Sequence, residues 1–96
     1  MINKREIIRS SQFKKDLKLS KRQGKDLTLA NQIITMLAND EPLPPKYNDH
    51  TLTNNWKGHR ECHISPDWLL VYRKTADNGL LLLLLARIAS HSDLDF

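Results

Sequence analysis

The sequence predicts an α+β fold in which two helices are followed by an antiparallel sheet. Three observations support this prediction. Clear helical periodicity is confined to residues 10–38, polar and apolar residues alternate from Trp56 onward, and turn-forming residues at 65–67 and 77–79 divide the second half into three strands. With 96 residues, 40% of them hydrophobic and 27% charged, the chain has the size and composition expected of one domain over residues 1–96.

The first half is predicted to hold a short strand and two helices. Residues 4–9 form the strand, with Ile7 and Ile8 at its centre. Ser10 or Ser11 can cap the next helix, which runs to about residue 22, because a serine oxygen accepts an unpaired first-turn N–H. The second helix covers about residues 25–38 and carries an apolar stripe at helical spacing: Leu27, Ala30, Ile33, Ile34 and Leu37. Prolines at 42, 44 and 45 then favour an extended connector.

The second half is predicted to form strands at residues 56–64, 68–74 and 80–89. In the first of these, alternation places Lys57, His59, Glu61 and His63 on one face, and Trp56, Gly58, Arg60, Cys62 and Ile64 on the other. The segments Ser65-Pro66-Asp67 and Asp77-Asn78-Gly79 are turn signals. The last strand is apolar on both faces, as expected of a central strand covered by helices. The order is therefore β-α-α-β-β-β, with two helices on one face of an antiparallel sheet.

The charge is concentrated in the helical half. Residues 1–38 carry nine Lys and Arg against three acids, whereas residues 39–96 carry six against eight, which gives the net charge of +4. Lys14, Lys18 and Lys21 share one face of the first helix. Such a face suits a polyanion such as nucleic acid. An ordinary solvated helix face would look the same, so charge alone leaves both interpretations open.

Cellular location is predicted from what the sequence does not contain. The single cysteine, Cys62, excludes an internal disulfide and fits a reducing compartment. The N-terminal residues have no apolar stretch of the kind found in secretion signals. The most apolar run, residues 80–86, is too short to cross a membrane. We therefore expect a cytoplasmic protein with no membrane partner.

Four histidines, His50, His59, His63 and His91, are the candidates for chemistry. Histidine can accept or release a proton near neutral pH. An RNA phosphodiester carries its own nucleophile, the 2′-hydroxyl, so its cleavage needs only a base, an acid for the leaving 5′-oxygen and cations for the transition state. Two histidines with a Lys or Arg would suffice. Isolated histidines are more often surface or capping residues, so spacing alone leaves this role open.

His63 is the best placed of these histidines. It is predicted to lie at the end of a strand, two residues after Glu61 and across a turn from Asp67, and a carboxylate beside an imidazole orients its ring. His50 in the connector and His91 after the last strand are expected at a sheet edge. Arg87, four residues before His91, is placed to contact phosphate.

A metal site is the competing interpretation of these residues. Cys62 and His63 are adjacent on a strand, so their side chains point to opposite faces and do not ligate one ion without a bulge. The sequence has no C-x-x-C pair or comparable ligand spacing elsewhere. We therefore expect neither a metal ion nor another cofactor.

A longer segment of the chain resembles the YafQ branch of the RelE/ParE toxin superfamily. This segment is residues 43–72, LPPKYNDHTLTNNWKGHRECHISPDWLLVY. The resemblance rests on Asp49-His50, Leu52, Trp56-Lys57-Gly58, Arg60, His63, Pro66-Asp67-Trp68 and Tyr72. Arg87 and His91 match the closing Arg and His of that family. The N-terminal half agrees in kind, with a short strand before two basic helices, so the resemblance covers nearly the whole chain.

The resemblance implies a RelE-like fold and a metal-independent endoribonuclease toxin that cleaves mRNA in the ribosomal A site. His50, His63, Asp67 and His91 carry over as catalytic residues. Weaker candidates for phosphate contact are Lys57, Arg60 and Arg87, and the basic first helix is expected to meet ribosomal RNA. The family also implies an inhibitory cognate antitoxin, RelB/DinJ-like, and binding to operator DNA only through the antitoxin complex.

Two positions depart from the family pattern. The terminal aromatic residue of the family commonly lies four residues after the closing histidine; here Asp95 occupies that position and Phe96, expected to stack on a substrate base, follows it. Glu61 stands where Asp is common. The alternative function is that of a ParE-like toxin that inhibits a protein target such as gyrase, which has no chemical reason to carry the histidines. A stand-alone DNA-binding repressor would need a recognition helix, and no such pattern occurs.

Overall fold

The chain forms a five-stranded sheet with two long helices on one face, in a computed structural model that describes residues 3–94. The strands are β1 (Glu6–Arg9), β2 (His50–Thr51), β3 (Arg60–Ser65), β4 (Trp68–Asp77) and β5 (Leu80–Ala89). The helices are α1 (Ser11–Arg22), α2 (Leu27–Ala38) and the short α3 (His91–Leu94). The predicted order is confirmed, with β2 and α3 as elements that the sequence patterns did not predict.

The sheet is mixed rather than wholly antiparallel as predicted. Its strand order is β1-β5-β4-β3-β2, and β2 to β5 pair in antiparallel fashion. β1 instead runs parallel to β5, with Glu6 opposite Leu82 and Arg9 opposite Leu85. The residue pattern of a strand predicts which face is buried but not the direction of a partner more than 70 residues away. The antiparallel prediction was therefore wrong for β1.

Ser10, one of the two predicted capping residues, caps α1, whereas the cap of α2 was not predicted. The Ser10 hydroxyl accepts a hydrogen bond from the Phe13 amide at 2.9 Å and donates one to the Ala86 carbonyl at 2.8 Å, so the cap of α1 also joins it to β5. Asp26 caps α2 by accepting from the Leu29 amide at 3.1 Å. Both caps pair N–H groups that a helix start leaves open.

The main core lies between the two helices and the sheet. The predicted stripe of α2 is buried there except for Leu27, which is partly buried at its margin. Phe13 of α1 joins it against the inward residues of three strands, among them Leu70, Tyr72 and Leu85. This arrangement confirms the prediction of two helices on one sheet face.

The opposite sheet face is covered by short segments, not by helices as the prediction for β5 implied. Leu69, Val71 and Ala89 form a second, smaller cluster with Leu94 of α3, and Leu52 and Trp56 pack against it. Further along β5 this face is more open, and Leu80 is 52% exposed. The uneven cover leaves room for a cleft on this face.

β3 starts at Arg60, four residues later than predicted. Trp56 instead ends a 3-10 turn, Asn54–Trp56, and Gly58 follows with φ +90°. Asn54 also has a positive φ, of 56°. Positive φ values are incompatible with a continuous strand, which is why the alternation of residues 56–59 does not extend the sheet.

The helices of this fold are short. In the part of the chain that the structure describes, the two longest have 12 residues each, and none has the length and apolar character needed to span a bilayer.

Candidate active site

Three of the four histidines meet in a cleft on the sheet face that the helices leave open. The cleft has a volume of about 500 Å³ and is lined by His50, Leu52, Thr53, Asn54, Asn55, Trp56, Glu61, His63 and His91. The ring centroids of His50 and His63 are 6.2 Å apart, and those of His63 and His91 are 5.4 Å apart. His59 is not among the lining residues and packs edge-on against the Trp56 ring.

Strand register explains why these residues converge. His50 of β2 lies opposite Glu61 of β3, and His63 shares the face of Glu61 because it is two residues further along. His63 lies opposite Leu69 of β4, which in turn lies opposite Ala89 of β5. Asp67 precedes Leu69 by two residues and His91 follows Ala89 by two, so both reach the same end of the sheet.

Glu61 is the buried carboxylate at the centre of the cleft. It is 3% exposed, and its Oε1 lies 3.2 Å from His63 Nε2 while its Oε2 lies 3.8 Å from His50 Nε2. A buried carboxylate without a partner is costly, so these imidazoles stabilise it and it orients them. Glu61 was not among the predicted site residues, although its i, i+2 spacing to His63 was the available signal.

Asp67 holds His91 by two contacts. Its Oδ1 accepts a hydrogen bond from the His91 backbone N–H at 3.1 Å and lies 3.0 Å from His91 Nδ1. The backbone hydrogen bond, followed by that from the side chain, lowers the pKa of Asp67 below its ordinary value. With Nδ1 directed to Asp67, Nε2 is the nitrogen of His91 that remains for proton transfer.

His50 is oriented in a similar way. Its Nδ1 lies 2.7 Å from the Asn48 carbonyl oxygen, which can only accept, so Nδ1 carries the proton and Nε2 faces Glu61. Asn48 has φ 47°, and this left-handed residue turns the chain into β2. Two histidines of the cleft thus have their Nδ1 atoms committed to other groups and their Nε2 atoms available.

A metal-ligand set that the sequence analysis did not predict is present in the cleft. Ligand atoms of Glu61, His63 and His91 all lie within 4.8 Å of one another, so these side chains could hold an ion. The expectation of no metal site considered Cys62, which does lie on the other face and is fully buried. Burial raises the pKa of the Cys62 thiol to about 12, which makes it a poor ligand and a poor nucleophile.

The predicted phosphate-binding arginines have carboxylate partners away from the cleft. Arg60 Nε lies 3.2 Å from Asp49, on the helix side of the sheet. Arg87 Nε lies 2.7 Å from Asp16 of α1, a carboxylate that also accepts from the Ile88 backbone N–H at 3.2 Å. Neither arginine lines the cleft, because each neutralises an acid on the helix side of the sheet: Asp49 in the connector before β2 for Arg60, and the buried Asp16 of α1 for Arg87.

The other predicted cationic residues are exposed. Lys57 follows the turn that forms one wall of the cleft. The lysines of α1, which are Lys14, Lys18 and Lys21, are all exposed on the outer face of that helix. The predicted contact from Phe96, and its displacement by Asp95, lie outside the described residues.

Comparison with known proteins gives the family to which this fold belongs. Residues 5–95 match a family described as the bacterial toxin of type II toxin–antitoxin system, YafQ. The mRNA interferase toxin YafQ of Escherichia coli strain B / BL21-DE3 is 44% identical over 72 residues, which cover 74% of this chain and 78% of that protein.

Solved structures give the same result. The toxin chain in the E. coli DinJ–YafQ toxin–antitoxin complex is 39% identical, with a TM-score of 0.83 over 95% of this chain and 97% of that one. A metal-bound toxin from Helicobacter pylori is 44% identical, with a TM-score of 0.83 over 93% of this chain and 97% of that one. The fold is therefore that of a small bacterial toxin of the type II toxin–antitoxin class. Within that class, the chain belongs to the YafQ family.

Proposed function

We propose that this protein is a ribosome-dependent endoribonuclease toxin that cleaves mRNA in the ribosomal A site and so stops translation. The observation that carries the proposal is the position of Glu61, whose two oxygens lie 3.2 Å from His63 and 3.8 Å from His50. The relatives named mRNA interferase give the substrate class. A ParE-like inhibitor of a protein target has no use for three histidines oriented in one cleft.

The chemistry follows from the proton-transfer groups. One imidazole takes the proton of a 2′-hydroxyl as that oxygen attacks the adjacent phosphorus. The bond from phosphorus to the 5′-oxygen breaks, and a second, protonated imidazole gives its proton to that leaving oxygen. The products are a 2′,3′-cyclic phosphate and a 5′-hydroxyl. His50, His63 and His91 share these two roles, with Asp67 orienting His91 and Lys57 close enough to the cleft wall to serve phosphate.

This route needs no metal ion. A cation bound to Glu61, His63 and His91 would occupy ring nitrogens that proton transfer requires, so we propose that such an ion inhibits the enzyme. The metal-bound relative from H. pylori is consistent with an ion in a toxin of this fold. Added Zn²⁺ or Cu²⁺ should therefore slow cleavage, and chelation should restore it.

The proposed partners follow from the same family. The E. coli relative is in complex with the DinJ antitoxin, and we infer that a DinJ-like antitoxin inhibits this chain and carries the complex to operator DNA. The exposed lysines of α1 are proposed to contact ribosomal RNA. Because ribosomes and mRNA are the substrates, the toxin acts in the cytoplasm.

The end groups of the RNA product test the mechanism. Chain freed of metal by dialysis should cleave mRNA on intact ribosomes and leave a 2′,3′-cyclic or 3′-phosphate, which is read by resistance to poly(A) polymerase before phosphatase treatment. Ribosomes kept in Mg²⁺ without toxin are the control. Products with a 3′-hydroxyl that appear only after a transition metal is restored would indicate attack by metal-activated water and would contradict the proposal.

A further inference from the structure

Behind the cleft, a second carboxylate is tied to the sheet. The Asp49 Oδ1 atom accepts a hydrogen bond from the Tyr72 hydroxyl at 2.6 Å and another from Arg60 Nε at 3.2 Å. Tyr72 is 1% exposed, and its ring belongs to the helix-side core. Its burial, with the Asp49 hydrogen bond as the second cause, raises the pKa of Tyr72, so the phenol keeps the proton that it donates.

Asp49 and His50 are adjacent, and strand geometry sends adjacent side chains to opposite faces. His50 therefore projects into the cleft while Asp49 projects to the helix side, where Tyr72 and Arg60 lie. Asp49 is not among the residues that line the cleft. Asp49 therefore does not contact the substrate, although it is adjacent in sequence to His50, a candidate acid–base group.

The strand that carries His50 is short, and beyond its ladder the Leu52 N–H donates to the His59 carbonyl at 3.0 Å. β2 has only two residues, and its ladder to β3 consists of the pairs His50–Glu61 and Thr51–Arg60. So short a strand is marginal without further contacts. A charge-assisted hydrogen bond to Arg60 and a short one to a core tyrosine are the strong contacts available to this segment.

We propose that Asp49 is a positioning residue, which through Tyr72 and Arg60 holds β2 in place so that His50 Nε2 stays beside Glu61. The expected effect on rate rests on the proposed nuclease function. The inference adds Asp49, Tyr72 and Arg60 to the site as residues that do not touch RNA. It also gives Arg60 a role other than the phosphate contact expected from the sequence. Displacement of a reacting group by about 1 Å can cost roughly 100-fold in rate.

The variants Asp49→Ala, Asp49→Asn and Tyr72→Phe test this inference against Asp40→Asn. Asp40 is a matched control, since it is also a carboxylate bound by basic side chains, Arg5 and Lys74, but it is distant in sequence from His50 and makes no contact with β2 in the part of the chain that the structure describes. Asp49→Ala should slow single-turnover cleavage of ribosome-bound mRNA by about 10- to 100-fold while the half-saturating ribosome concentration changes by less than about threefold. Asp49→Asn and Tyr72→Phe should fall between Asp49→Ala and wild type.

A double variant and a spectroscopic readout separate positioning from a general loss of structure. Asp49→Ala with Tyr72→Phe should be no slower than Asp49→Ala alone, because Asp49→Ala already removes the hydrogen bond that Tyr72→Phe would remove. The imidazole ¹⁵N NMR signals of His50 should show the Nδ1–H tautomer in wild type and in Asp40→Asn, and should shift toward tautomer averaging in Asp49→Ala. Tyr72→Phe keeps the ring volume, so it carries the test if Asp49→Ala is poorly folded.

Two results would overturn the inference. One is a wild-type rate in folded Asp49→Ala and Tyr72→Phe, and the other is a slower rate with unchanged His50 signals, because the effect would then not pass through His50. Failure of the nuclease proposal is a different outcome, in which wild type and His63→Ala cleave RNA equally. In that case the NMR comparison of wild type, Asp49→Ala and Asp40→Asn still decides whether Asp49 orients His50.

Discussion

Asp40 and Glu61 are carboxylates that each collect several basic side chains, yet the two clusters differ in chemistry. Asp40 Oδ1 lies 2.7 Å from Arg5 Nε and 2.8 Å from Lys74 Nζ, a guanidinium and an ammonium that only donate hydrogen bonds. Glu61 faces His50 and His63, whose imidazoles can act as proton donors or acceptors. Partners that only donate suit a structural bond, and partners that can do both suit proton transfer.

The two clusters also differ in what they connect. Arg5 donates to Asp40 and to the carbonyls of Thr75 and Leu82, so the Asp40 cluster ties the start of β1 and the end of α2 to the central strands. The Glu61 cluster joins β2 and β3 beneath an open cleft, and its histidines remain partly exposed. The two clusters therefore differ in the solvent-accessible imidazoles beside Glu61, which is the feature that the proposed function uses.

The largest effect should come from His63→Ala. Loss of a positioned acid–base group typically lowers the rate by about 10²- to 10⁴-fold. Because His63 is also the nearer partner of the buried Glu61 carboxylate, the rate is compared per folded molecule. Growth arrest on expression without antitoxin, together with cleavage by the purified chain, measures the effect. Asp40→Asn should behave oppositely, with lower stability and full activity per folded molecule. Equal toxicity of His63→Ala and wild type would contradict the proposed histidine mechanism.

The next prediction concerns the lysines of α1, which are cations without a carboxylate partner among the described residues. Among residues 3–94, no acid lies at ion-pair distance from Lys14, Lys18 or Lys21. Changing all three to Gln should weaken ribosome binding by about tenfold or more at low salt and flatten its salt dependence, because fewer counterions are released. Filter binding of ribosomes at several salt concentrations measures this slope. An unchanged slope would mean that this face is merely solvated.

Asp40→Asn should lower the free energy of unfolding by about 1.5–3 kcal/mol at pH 7, since hydrogen bonds to charged groups contribute about that much. The hydrogen bond from Arg5, followed by that from Lys74, lowers the pKa of Asp40 below its unfolded value of about 3.9. The stabilisation is therefore complete above about pH 4 and is lost as the pH falls further. Urea unfolding of both proteins from pH 7 to pH 3 should show the difference shrinking. A difference independent of pH would contradict this assignment.

The smallest effect on function is expected at Cys62. The prediction for this residue concerns chemical labelling of its thiol. Cys62 lies between Glu61 and His63 in sequence but on the buried face, where its pKa is raised to about 12. At pH 8 about one thiol in ten thousand is then a thiolate, so a thiol reagent such as DTNB should react only as the chain unfolds. Rapid labelling of the folded protein would show that β3 does not keep its alternation of faces in solution.

The sequence by itself determined all the helices and strands except β2 and α3, and it identified most residues of the candidate site. Ser10 marked the start of α1, the stripe ending at Leu37 marked the buried side of α2, and the family motif singled out His50, His63, Asp67 and His91. Of these, the structure brings the three histidines into one cleft and joins Asp67 to His91. Such features are local, because caps, turns and periodicity depend on residues only a few positions apart.

Only the tertiary structure decided which distant groups meet. β1 pairs parallel to β5, Arg87 reaches Asp16, and Asp49 reaches Tyr72 across 23 positions of sequence. No residue pattern predicts these contacts, because each depends on the relative placement of packed layers. The same reason kept Glu61 out of the predicted site: its spacing to His63 was visible, but its contact with His50 exists only because β2 pairs with β3. Burial makes these partners important for stability, since a carboxylate removed from water requires a hydrogen-bonded neighbour.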